Sequence, residues 1–123
     1  MYAWFALPKG SGELGGLNYE AIRTPDAVTH NPYDINFAVS WDAPPPVFGA
    51  MQTFDGSDPS HMRQGAAGTT TSGVQVFVEE ETCTDSEMAH TTETVGIVAI
   101  QTGVAGTDAG DPCEGLGDNS AVK

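Results

Sequence analysis

Arg63 is one of only four basic residues in a 123-residue chain that carries 17 acidic ones. In such surroundings a planar guanidinium has two uses: a charge-assisted hydrogen bond to a carboxylate, or donation to the hydroxyls of a sugar. The sequence leaves both open, with Glu79, Glu80 and Glu81 as the candidate carboxylates. In an extended segment these three alternate between the two faces, so at least one points inward and demands a buried partner. His90 and Glu93 can supply that partner, in a hydrogen-bonded network fixing the long polar stretch from Thr82 to Thr92. The same neighbourhood offers a second chemistry, a divalent cation held by Asp85, Glu87 and His90 with the adjacent carboxylates. Ca²⁺ would be favoured if oxygen ligands dominate. Calcium-loop spacing is missing there, and also in Asp55-Gly56-Ser57-Asp58-Pro59, whose composition is that of a turn. Ca²⁺ is therefore the one cofactor to consider, and none is expected. Catalysis has less support: there is no nucleophile elbow, and a paired-carboxylate hydrolase needs a cleft that so small a chain rarely builds.

The elements that must position these residues read as strands. Leu17 to Ile22 alternates apolar and polar residues between a Gly-Gly turn and Thr24-Pro25. Ile35 to Ser40 alternates as well and runs into Trp41 and the triple proline Pro44-Pro45-Pro46. Those prolines cannot sit in a central strand and mark a stiff crossover. Val47 to Phe54 forms the next strand, and His61 to Ala67 a weaker one. Val74, Val76 and Val78 share one face of a strand ending at Glu80. Thr94 to Gln101 is apolar and β-branched almost throughout, as expected of a strand covered on both faces. These patterns predict an all-β chain, a small antiparallel β-sandwich of about six strands. Residues 1–16 form an N-terminal extension, 17–103 the sandwich and 104–123 a Gly/Asp-rich tail.

A formal net charge of -13 repels polyphosphate and the anionic membrane leaflet, so no nucleic-acid partner is expected. The apolar opening Met1 to Pro8 lacks a basic flank and is too short to span a bilayer, which excludes membrane insertion by that segment. Cys83 and Cys113 fit no metal-binding spacing. In an oxidising compartment they would form a disulfide, closing a loop of roughly 30 residues at a gain on the order of 3 kcal/mol; in a reducing one they stay free thiols. Trp4 and Trp41 could stack on sugar faces, although aromatic residues beside strand ends more often join a core or an interface.

The motif order resembles a known family. Asp34-Ile-Asn-Phe37 leads to Pro44-Pro-Pro-Val-Phe48, followed by a strand, an acidic loop and the arginine of His61-Met-Arg63. A Thr-Thr-x-Gly turn at Thr70 to Gly73, a Val/Phe strand and a closing Val95-Gly-Ile-Val-Ala-Ile100 complete it. This order over roughly Leu17 to Gln101 is similar to the H-type lectin domain. It is closer still to a divergent branch with P-V-F, R, E-E-E and H-x-x-E-x-V-G-x-x-A-I. The resemblance implies a six-stranded sandwich, trimers or hexamers with the trimer favoured, and recognition of N-acetylgalactosamine-type sugars between protomers. It places a ligand site at Arg63 with Glu81, His90 and Thr91. Where the lectins carry a tryptophan and a histidine, this chain has Glu81 and Thr82, and its loop is longer.

The expectation is thus a non-catalytic, lectin-like adhesion module in an extracellular or surface-associated setting. The competing class is a structural subunit of a filament, coat or large assembly that binds no small ligand. The partners expected are a glycan or neighbouring copies. The aromatic opening Tyr2 to Leu7 is too short to form a layer and is expected to pack on another subunit. Each buried aromatic would contribute roughly 1.5 to 3 kcal/mol. Deleting residues 1–7 should therefore weaken association far more than folding, which light scattering on intact and truncated chains checks; monomers in both cases would refute it.

Overall fold

A computed structural model describes residues 3–83 and 86–102. Seven strands and no helix form among them: β1 (Gly10–Leu14), β2 (Leu17–Arg23), β3 (Tyr33–Asn36), β4 (Val47–Met51), β5 (Ser60–Thr69), β6 (Gly73–Glu80) and β7 (Val95–Ile100). All pairings are antiparallel. One sheet has four strands in the order β1-β2-β7-β4, the other three in the order β3-β6-β5. The architecture is the small antiparallel sandwich that the alternation of apolar residues predicts.

Each central strand puts alternate side chains between the sheets. In β6 these are Val74, Val76, Val78 and Glu80, with the intervening residues only half-buried. In β7 they are Val95, Ile97 and Ala99, and here too the opposite face, Gly96, Val98 and Ile100, is only partly covered. Val28, Ile35 and Met51 complete the core. Three valines in a row on one face suit this layer, because β-branched side chains fill a pleated surface with little rotamer freedom to lose.

Four departures from the sequence reading have local causes. The segment assigned to an N-terminal extension contains β1, joined to β2 by the hairpin Leu14-Gly15-Gly16-Leu17. Gly15 and Gly16 have φ of 58° and 82°, the pair of left-handed positions that a two-residue hairpin turn needs. The sandwich therefore begins at Gly10. Second, the strand expected to reach Ser40 stops at Asn36, because the buried Glu20 carboxylate draws the next turn of chain to itself. It accepts from the backbone N–H groups of Ala38 at 2.7 Å and Val39 at 3.2 Å. Third, β4 ends at Met51 rather than Phe54, since Thr53 and the residues after it turn toward Glu93. Fourth, the weak segment around His61 is the longest strand, Ser60–Thr69, with an irregularity between Gln64 and Thr69.

Ile97 is the largest fully buried apolar side chain, at 2% exposure. Ile97→Ala should cost about 2–5 kcal/mol through lost burial and the cavity left behind. Urea unfolding should show a lower midpoint with an unchanged slope.

Candidate functional site

At one end of the sandwich three ionisable side chains are buried together. Glu80, the last residue of β6, continues the inward-facing row of valines and so carries its carboxylate into the interior. His90 Nδ1 lies 2.6 Å from Glu80 Oε1, and His90 Nε2 lies 2.9 Å from Glu93 Oε1. Carboxylates only accept, so satisfying both requires a hydrogen on each ring nitrogen, which is the imidazolium. Burial pushes the His90 pKa down from 6.5, but the hydrogen bonds from Glu80 and Glu93 and their charges outweigh it, and the net shift is upward.

Glu93 is held on every side. Its Oε1 accepts from the backbone N–H of Asp55 at 2.8 Å and Gly56 at 3.0 Å, and its Oε2 from the Thr53 hydroxyl at 2.5 Å. Burial opposes ionisation, yet these donors together with His90 leave its pKa below the ordinary 4.5. Gly56 sits directly against the imidazole, and a Cβ there would come within 2.2 Å of His90. Through its backbone Glu93 also bridges to Val28, with Glu93 N–H donating to Val28 O at 2.8 Å. The His90 N–H donates to His30 Nδ1 at 3.0 Å. The loops around residues 28, 55 and 90 are thereby tied to one charge centre. The acidic turn at Asp55 to Pro59 directs the N–H groups of Asp55 and Gly56 at this carboxylate.

Arg63 occupies a different place. It stands exposed on the outer face of the β3-β6-β5 sheet, and its Nε donates to Glu79 Oε2 at 2.5 Å. Of the three candidate carboxylates, Glu79 is the partner, while Glu80 turns inward. The hydrogen bond from Arg63 leads the effects that hold the Glu79 carboxyl below its usual range. His61 Nε2 lies 3.3 Å from the same oxygen. Phe77 is the direct cross-strand neighbour of Arg63. Next to them Gln75 donates to Asp34 Oδ1 at 3.0 Å. This face offers donors, acceptors and one aromatic ring to solvent.

The residues expected to share a ligand site with Arg63 are not gathered there. His90 is buried with both ring nitrogens engaged by Glu80 and Glu93, the network reading of this residue rather than a place beside Arg63. Glu81 and Thr91 are exposed, and Glu81 holds the exposed Cys83 thiol, whose pKa is raised by that hydrogen bond. Glu87 is exposed. Asp85, Cys113 and the 104–123 tail lie outside the described residues, and with them the Cys83–Cys113 disulfide. Among the described residues, no group of three His, Cys, Asp or Glu is placed to hold a metal ion. Trp4 is 87% exposed, whereas Trp41 meets Phe37 edge to face at 6.3 Å between ring centres. The sequence reading missed Thr53, His30, His61 and Ser60, whose hydroxyl lies 3.5 Å from His90 Nε2. Thr53 and the Asp55–Gly56 amides are what an inward carboxylate seeks, so the demand was legible although its supplier was not.

No family model matches the sequence, and no curated protein or solved structure is similar to it.

The buried centre sets a pH dependence. His90 has a folded pKa above its unfolded 6.5, so its contribution is full below 6.5 and is lost as pH rises through the folded value. Glu93 has a folded pKa below its unfolded 4.5, so its contribution is present above 4.5 and is lost as pH falls through the folded value. Both are in place between these limits, and urea unfolding across pH should show greatest stability there. His90→Gln should abolish the alkaline limb. It should also cost about 3–5 kcal/mol, because two buried carboxylates are left without their counter-ion.

Proposed function

We propose that the chain is a non-catalytic recognition module that binds carbohydrate through the outer face of β5 and β6, in an extracellular or surface setting. The observation that carries this reading is the exposure of Arg63 within a polar grid. Arg63 and His61 on β5 face Phe77 and Glu79 on β6. A guanidinium donates to sugar hydroxyls, a carboxylate accepts from them, and an aromatic ring covers the apolar C–H face of a pyranose. All three kinds of group stand side by side on a rigid sheet, where their spacing costs little to maintain. The Arg63–Glu79 pair is compatible with this use, since it orients the fork and leaves the remaining guanidinium N–H groups for a ligand. The resemblance to H-type lectins, which places an arginine at this point of the chain, supports the same reading. His90, buried beneath the loop, acts in it as a support and touches no ligand.

A glycan array with the purified chain and with Arg63→Ala is the test. The native chain should bind a defined subset of glycans. The variant should lose roughly tenfold or more, as expected for a hydrogen bond from a charged group of about 1.5–3 kcal/mol, with an unchanged melting curve. Background signal throughout, from a chain that melts cooperatively, would refute the proposal.

A further inference from the structure

The opposite sheet carries a second feature. Alternation in β2, β7 and β4 turns Ala21, Val98, Ala50 and Phe48 away from the core, and register brings them side by side on the outer face. Phe5 to Leu7 of the N-terminal arm lie along this face and close one side of it. The result is an open trough of about 440 Å³. Its floor is built of small residues, including Gly96, which adds no side chain between Arg23 and Ala50. Its walls are large and apolar, with Phe48 61% and Phe5 72% exposed.

The charge around this trough is the reverse of the chain's. The chain has 17 acidic residues, yet none lines the trough, while two of its four basic residues, Lys9 and Arg23, do. Neither forms an ion pair among the described residues. Arg23 lies at the end of β2 opposite Gly96, and Gln52 reaches over the same glycine, so the donors gather at one end. The apolar surface extends away from them along Val98 and Phe48. The floor is also silent toward a peptide backbone laid over it, because β2 and β7 are each paired on both sides and the unpaired main-chain groups of β4 lie in the plane of the sheet at its rim, not on this face. A peptide laid across it would leave amides unpaired. An alkyl chain would not.

We infer that this trough binds a free anionic amphiphile, an apolar chain ending in a carboxylate. The chain lies over Ala21, Ala50 and Val98 between Phe5 and Phe48, and the carboxylate meets Arg23, Gln52 and Lys9. Trough size falls within the range of small-molecule sites, about 300–1,000 Å³. The site is on the sheet opposite Arg63 and is independent of carbohydrate binding there.

Calorimetric titration of the full chain with dodecanoate, below its micelle concentration, tests the inference against dodecyltrimethylammonium, which has the same alkyl chain and the opposite charge. A net charge of -13 favours the cation everywhere except in the trough. Dodecanoate should therefore bind one per chain and more tightly than the cation by roughly tenfold or more. Arg23→Glu should reverse that order, and Ala50→Trp, whose indole rises from the floor into the trough, should abolish both; circular dichroism melting verifies that each variant is folded. Equal or stronger binding of the cation to the native chain overturns the inference, as does dodecanoate binding that survives Ala50→Trp. Association with anionic vesicles without saturable uptake of free dodecanoate overturns it in favour of a membrane surface. Light scattering that shows a dimer refractory to dodecanoate assigns the face to a second copy and overturns it as well.

Discussion

Burying two carboxylates and an imidazole together is the constraint around which the rest of this fold is arranged. Either carboxylate alone in the interior would cost several kcal/mol. Their coexistence requires that His90 carry its proton and that every remaining lone pair find a donor. Glu93 meets that requirement only because Thr53, Asp55 and Gly56 turn toward it, which ends β4 and shapes the acidic turn after it. The same residue fixes the loop around Val28 through its backbone. Three loops that would otherwise be independent surface segments are thereby made one unit, and the long polar stretch before β7 acquires a fixed anchor without an apolar core of its own.

A smaller version of the same logic operates at the inner face of β2. Glu20 is buried at 4% exposure, and two backbone N–H groups converge on its carboxylate. The chain from Phe37 to the triple proline is consequently shaped by a side chain rather than by a ladder. Both cases show buried acids acting as organisers of loops in a protein whose surface is already strongly acidic. The alternation of inward valines with outward polar residues supplies the layers, and these acids decide where the strands stop.

Much of this was legible in the residues. Val74, Val76 and Val78 announce their strand and its face by period alone, and the row predicts that a glutamate among Glu79 to Glu81 must enter the interior and meet His90 or Glu93. Beyond that, sequence reasoning lost resolution where the deciding partner is distant. Gly10–Leu14 has almost no β-propensity and is a strand because β2 offers it a ladder across a tight hairpin. Ser60–Thr69 is rich in Gly and Ala and is held by β6. Ile35 to Ser40 has the right alternation but is cut short by Glu20, and nothing local reveals that. His90 sits between Ala89 and Thr91 in a stretch without periodicity, so the residues show that an inward glutamate needs a partner there, while tertiary placement decides that His90 lies between two of them.

The order β1-β2-β7-β4 places the first and last stretches of the domain side by side at the centre of one sheet, with Tyr19 opposite Ile100. That pairing has a kinetic meaning. A chain emerging from synthesis can form the β1–β2 hairpin at once, but the sheet has a gap in its middle until β7 arrives, and β4 has nothing to pair with in the interval. Closing so long a loop carries an entropic cost that is repaid only when the last strand docks. The four-stranded sheet is complete only when β7 is in place, and the strand that seals it also brings Glu93, just ahead of Val95, to the charge centre.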